Sequence, residues 1–319
     1  MNQLLESYMA NIKKDSKIFI AGKDGMVGSA CWRILSDNGY NNLIGQSSKD
    51  LDLRDQNETN FFFAKHKPDL IINAAAKVGG IWANNEYPYE FLMENMLIQN
   101  NLLSNALKSN VEKFIFLGSS CIYPKMATQP IKEEYLLTDS LESTNQWYAL
   151  AKISGIKLIE AINKQYRKKY VSLMPTNLYG PNDNFDLNTS HVLPALIRKF
   201  HEAKNDNSYV SLWGSGTPLR EFMYVDDLAK AILFSVENDL PYELYNVGSG
   251  HEISIKDLAY LIQEVIGHTG QIIWDKTKPD GTPRKLMDSS RFESLGFKAK
   301  VDLKSGIEKT YEWYLENHT

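Results

Sequence analysis

The sequence predicts an α/β fold: a doubly wound parallel sheet followed by a smaller mixed α/β C-terminal lobe. Three observations predict it. Short apolar runs alternate with helical stretches from residue 17 to about residue 175, the rhythm of parallel strands joined by right-handed helical crossovers. The first run ends in glycines that open a helix. Beyond residue 175 the alternation loosens into segments rich in Asn, Asp, Gly and Pro, which suit a second lobe fed by several separated pieces.

Residues 1–16 are polar and read as an N-terminal extension. Residues 17–21 form an apolar run ending at Gly22, as a buried parallel strand would. Helix follows over 26–37, a second strand over 42–45, helix over 55–66 and a third strand over 69–74. A long helix at 88–109 leads to a strand at 113–118, and another at 145–168 leads to a strand at 170–174. Residues 177–190 and 276–284 read as loops, and 192–204 as helix. The dinucleotide-binding part is expected to span 17–178 plus about 222–250, where the sheet is re-entered. The second lobe takes about 179–221 and 251–319.

Composition limits the functional classes. The chain has 319 residues, 43% hydrophobic and 23% charged, with a formal charge of -4. That is ordinary soluble composition without a basic field for nucleic acid. No apolar run approaches the roughly 18 residues needed to cross a bilayer, so no membrane partner is expected. Two cysteines, Cys31 and Cys121, do not build a disulfide framework and suit a reducing, cytoplasmic setting. No metal site is expected.

The glycine cluster reads Gly22, Lys23, Asp24, Gly25, Met26, Val27, Gly28. Glycines three apart between a strand and a helix let the backbone turn tightly and approach a pyrophosphate, and the helix N-terminus offers free N–H groups. This context predicts a dinucleotide site. The end of the second strand should meet the adenosine ribose, where an acid selects NAD and a cation NADP. Here stand Gln46, Ser47, Ser48 and Lys49; the missing acid favours NADP. Lys49 is the nearest cation, or else a solvated surface lysine. Asp52, before Leu53, either accepts from the adenine amino group or caps the next helix.

Tyr148 and Lys152 lie one helical turn apart. By itself the pair is commonplace. Its position gives it meaning, because it follows a strand ending in Leu117, Gly118, Ser119 and Ser120, whose end opens onto the cofactor crevice. Ketone reduction needs a proton for the emerging alkoxide. Tyrosine, with a pKa of about 10, is a poor acid–base group until a cation lowers that value. Lys152 is placed to do so, and the Ser119 hydroxyl to bind the same carbonyl oxygen.

The chain also resembles the extended short-chain dehydrogenases/reductases, and within them the GDP-L-fucose synthases. The resemblance rests on residues 74–81, 83–85, 117–125, 174–181, 213–218, 220–222 and 278–285, of which the run Ser119-Ser-Cys-Ile-Tyr-Pro-Lys125 is the most specific. It implies a Rossmann-type sheet, a homodimer, and NADPH-dependent epimerisation and reduction of a GDP-4-keto sugar. It implies Ser119, Tyr148 and Lys152 as the reductase triad and Cys121 and His191 as base and acid for C3 and C5. Leu117, Gly118, Ser119, Pro175, Thr176, Asn177, Leu178 and His191 would line the nicotinamide half of the cofactor site. Ser119, Cys121, Asn177, Lys199, Trp213, Arg220, Asp280 and Lys285 would hold the GDP-sugar. Read without the resemblance, His191 is a structural loop histidine and Cys121 a small buried thiol. Two departures stand out: Gln46 and Ser48 occupy the place of an arginine that grips the NADP 2′-phosphate, and Trp147 replaces a proline. The rival readings are a C4 reductase without epimerase activity, for instance on a GDP-heptose, and a non-catalytic nucleotide-binding relative. A 4,6-dehydratase would need a carboxylate pair where Ser120 and Cys121 stand.

Overall fold

Six parallel strands build the central sheet. The computed structural model describes residues 12–206, 208–278 and 280–318. Most of the expected N-terminal extension therefore lies outside the described residues; Ile12 is buried and residues 13–16 make a turn. The sheet comprises β1 (Ile18–Ala21), β2 (Leu43–Ile44), β3 (Leu70–Asn73), β4 (Lys113–Leu117), β5 (Val171–Pro175) and β9 (Leu244–Val247), in the order β2-β1-β3-β4-β5-β9. Strands β1, β3, β4 and β5 are buried along their whole length, which is why they read as continuous apolar runs rather than alternating ones.

Alternate residues feed opposite layers. Ile18, Ile20, Leu70, Ile72, Ile115 and Leu117 pack with α1 (Met26–Asp37) and α7 (Val225–Glu237). Phe19, Ala21, Ile71, Phe114 and Phe116 pack with α2 (Gln56–His66), α4 (Pro88–Lys108) and α5 (Gln146–Tyr166). A short helix, α3 (Ile81–Glu86), precedes α4. The caps explain the boundaries. Asp55 accepts from the N–H groups of Asn57 and Glu58 and so starts α2. Arg167 takes a left-handed conformation after α5.

The remainder forms the smaller lobe. It contains β6 (Asn177–Tyr179), α6 (Val192–Asp206), β7 (Val210–Trp213), β8 (Leu219–Tyr224), β10 (Glu252–Ser254), α8 (Ile255–Ile266), β11 (Ile272–Asp275), β12 (Arg284–Lys285) and α10 (Leu303–His318). The short helix α9 (Ser290–Glu293) returns to the large sheet, where Phe292 packs against Phe234 and Tyr245. Strand β8 pairs with β6, β10 and β12, while β7 pairs with β11. A third core, including Phe185, Leu196, Phe200, Phe222, Leu258, Ile262 and Ile307, fills this lobe.

Three expectations need correction. Residues 177–179 are strand, not loop; three residues beside Pro, Asn and Gly are too few to show periodicity. The 276–284 loop ends earlier than read, because Arg284 already begins β12. And of the stretch 222–250, only α7 and β9 belong with the large sheet, since residues 219–224 complete the second sheet instead.

Candidate active site

Strand order reverses at β1, with β2 on one side and β3 on the other. A crevice opens at such a point, beyond the strand C-termini, and the glycine loop lies there. Gly22 has φ +80°, and a Cβ on it would lie 2.8 Å from the Ala75 nitrogen. A Cβ on Gly28 would lie 2.0 Å from the Gly22 carbonyl oxygen. These two glycines let the loop fold back on itself and against β3. Gly25 meets nothing closer than 3.5 Å, so its open side is free for a ligand. Helix α1 has no side-chain cap and no acid in its first turn, so its N–H groups and dipole are available to an anion. The loop therefore fits a dinucleotide pyrophosphate. Met26 and Val27 turn inward and pack on the core.

Around the adenosine end, Ser47 Oγ donates to Asp50 Oδ2 (2.6 Å) and closes the turn that carries Ser48 and Lys49. Asp52 does not cap α2, a task taken by Asp55. Its carboxylate receives Arg54 Nε (2.9 Å) and one terminal guanidinium nitrogen (2.8 Å). Arg54, unnoticed in the sequence, also reaches Glu94, which pairs with Lys77. Leu53 anchors this turn through its carbonyl, which accepts from Asn101 Nδ2 (2.9 Å).

The catalytic cluster forms where β4 ends. A Cβ on Gly118 would lie 2.2 Å from Met174 Cε, so the glycine leaves room for the Met174 side chain of β5 beside the turn bearing Ser119 and Cys121. Ser119 Oγ accepts from the Cys121 N–H (3.3 Å). From α5, the buried Lys152 donates from Nζ to the Leu117 carbonyl (2.8 Å), and Nζ lies 5.6 Å from the Tyr148 ring centre. Burial lowers the Lys152 pKa to about 8, against a small upward pull from Cys121. Burial, aided by Cys121, holds the Tyr148 pKa above its ordinary value. No lowering by Lys152 enters in the free protein, and Tyr148 is a phenol with a proton to donate. Burial also raises the Cys121 pKa, opposed by Lys285, the Ser119 hydrogen bond and Lys152.

His191 arrives separately, just before α6. The loop that brings it is moored by Asn182 Nδ2 to Ser29 Oγ on α1 (3.1 Å) and by the Gly80 N–H to the Thr189 carbonyl (2.9 Å). The residue is exposed, yet surrounded by enough protein that desolvation lowers its pKa. Among the described residues no hydrogen bond joins it to Cys121 or Tyr148.

Pro175, Thr176, Asn177 and Leu178 carry the chain from the large sheet into the second. Thr176 Oγ1 and Asn177 Nδ2 both donate to the Glu221 carbonyl (3.2 and 2.8 Å). Both donors tie the crossover to the second sheet. Leu178 packs on the core.

The second lobe contributes cations. Lys285 sits opposite Arg220 in the β12–β8 pairing, and both lie within electrostatic reach of each other; Lys285 also reaches Cys121. Lys199 Nζ donates to the Ser211 carbonyl (3.2 Å), next to the exposed Trp213. Lys199, Arg220 and Lys285 form no ion pair among the described residues, and burial lowers the pKa of each. Desolvated, unpaired cations want an anion. Asp280 accepts from the Ser215 N–H (2.6 Å) and hydroxyl (2.8 Å) and so shapes the turn after Trp213.

Glu221 was missed. It is fully buried and accepts from the Gly250 N–H (2.8 Å) and the Met287 N–H (3.0 Å). It thereby fixes the segments that present Arg220 and Lys285. The available signal was an acid inside an apolar strand.

With this geometry in place, the comparisons are specific. Residues 18–248 match the NAD dependent epimerase/dehydratase family. The chain belongs to that family. Among family relatives, a putative GDP-L-fucose synthase 2 of Arabidopsis thaliana is 56% identical over 307 residues, covering 96% of this chain and 94% of the relative. A GDP-L-fucose synthetase from Naegleria fowleri bound to NADP superposes with a TM-score of 0.91 at 31% identity, covering 98% and 96% of the two chains. A GDP-mannoheptose C4 reductase from Campylobacter jejuni with NADP bound gives 0.88 at 36% identity, covering 96% and 100%.

Proposed function

We propose that this family member reduces the C4 ketone of a GDP-4-keto-6-deoxy sugar with NADPH and epimerises C3 and C5 beforehand at the same site. The observation that carries the reading is the cluster Ser119, Cys121, Tyr148 and Lys152 beside a glycine loop on one side and unpaired, desolvated cations on the other. The relatives named GDP-L-fucose synthase support the 6-deoxyhexose over a heptose.

In this reading Gly22 to Gly28 hold the pyrophosphate, and Lys152 and residues 117–119 and 175–178 hold the nicotinamide half. Bound NADPH supplies a hydride for the sugar C4. Cys121 removes the proton beside the ketone, where the carbonyl delocalises the resulting charge, and His191 returns a proton from another element. Tyr148 then protonates the C4 oxygen, which Ser119 orients. Lys199, Arg220 and Lys285 neutralise the diphosphate, and Trp213 stacks on the nucleotide or sugar. Incubation with GDP-4-keto-6-deoxy-mannose and NADPH, with the product identified by NMR, tests this. GDP-L-fucose is expected, and product reduced at C4 without inversion favours the reductase-only rival.

A homodimer fits the same reading. Tyr89, Met93 and Leu97 recur every fourth residue on α4 and are exposed, an apolar stripe suited to a two-fold helix interface. Light scattering at micromolar concentration should give twice the chain mass. No helix among the described residues is long and apolar enough to cross a membrane; the free cysteines fit a cytoplasmic setting.

A further inference from the structure

We propose that Lys23 and Asp24 together read the 2′ position of the adenosine ribose, with Lys23 as the cation for a 2′-phosphate and Asp24 as a brake on it. The inference rests on the reading of the glycine loop as the NADPH site.

The end of β2 is where the adenosine ribose is read in this kind of sheet. Gln46 and Ser48 bring no charge there. Of the nearby cations, Arg54 is held by Asp52 and Glu94, and Lys77 by Glu94. Lys23 instead leaves the glycine loop toward β2. Its stem fills the space that Gly45, the first residue after β2, leaves open. A Cβ on Gly45 would lie 2.8 Å from Lys23 Cδ and 3.0 Å from Lys23 Cβ. The packing fixes the stem and brings the ammonium to the ribose corner.

That ammonium is already engaged. Lys23 Nζ lies 2.6 Å from Asp24 Oδ1, with side-chain exposures of 30% and 57%. A 2′-phosphate, with a charge of about −1.5 to −2 near neutrality, competes with Asp24 for the same donor and meets its carboxylate as a like charge. The more exposed Asp24 can turn to water at little cost. The wild type should therefore prefer NADPH, but by less than Lys23 alone would give.

Fluorescence titration of the full chain with NADPH and with NADH, in the absence of sugar, tests this. Lys23→Met should weaken NADPH binding by about tenfold to a hundredfold, the worth of one hydrogen bond to a charged group, and leave NADH unchanged. Gly45→Ala, which displaces the stem, should act in the same direction. Asp24→Asn should tighten NADPH severalfold without tightening NADH. Lys49→Met should change neither. Unchanged NADPH affinity in Lys23→Met, an equal loss for both cofactors, or a loss that moves to Lys49→Met overturns the assignment. A wild type that binds neither dinucleotide overturns the reading of the loop itself.

Discussion

The two ends of the cleft are built from different material. The proposed pyrophosphate site at the cofactor end is backbone: three glycines, an uncapped helix N-terminus and a strand end, all within residues 18–37. The proposed sugar end is side chains: Lys199 from α6, Trp213 from β7, Arg220 from β8 and Lys285 from β12, the last two presented by segments that the buried Glu221 fixes. A backbone site is encoded locally and is robust to most substitutions except those that add a Cβ. A side-chain site depends on distant segments meeting in register, so it can change substrate without disturbing the sheet. The catalytic cluster lies between them and borrows from both.

The sharpest way to break this division is at the junction. Tyr148→Phe removes the proton donor alone, so turnover should fall by about 10²- to 10⁴-fold, with NADPH affinity near that of the wild type by fluorescence titration. Equal losses in turnover and cofactor binding would place Tyr148 with the cofactor end.

A smaller effect should mark the sugar end. Arg220→Met is expected to raise KM for the GDP-sugar about tenfold or more, the range for losing a hydrogen bond to a charged group. The NADPH dissociation constant should not move. A change in cofactor affinity would show that the two ends are not separable.

The same contrast governs legibility. The large sheet, its helices and the glycine loop were readable because each is announced by an apolar run, a periodic stretch or a glycine triplet within a few residues. The triad position followed from topology, since the strand ending at Leu117 must open on the crevice. Selecting Cys121 and His191 needed the resemblance, because no local pattern separates His191 from the other histidines. Glu221 escaped notice because its partners lie elsewhere in the chain, the N–H groups of Gly250 and Met287; Arg54 pairs with its near neighbour Asp52, but its second partner, Glu94, comes from α4. Asp280 has a structural partner the sequence did not announce: its carboxylate accepts from the Ser215 N–H and hydroxyl, 65 residues away.

The subtlest test compares the two thiols. Cys31, on the core-facing side of α1, is fully buried, and burial pushes its pKa up to about 12. Cys121 is also raised, but Lys285, Ser119 and Lys152 oppose the rise. Iodoacetamide labelling followed by peptide mass spectrometry should modify Cys121 first, faster as pH rises and the thiolate fraction grows. GDP should slow it by occupying the adjacent cations. Preferential labelling of Cys31 would contradict the electrostatic account of the cluster.

The central claim is that one cleft both moves protons at C3 and C5 and reduces C4. It is tested most directly by incubating the protein with GDP-4-keto-6-deoxy-mannose in D₂O without reduced cofactor and following C3 and C5 by NMR. The account predicts deuterium at both carbons with the wild type and a sharp loss in Cys121→Ser, while that variant still reduces a substrate already in the final configuration. No exchange with a wild type that reduces such a substrate well would contradict the claim and leave a C4 reductase alone.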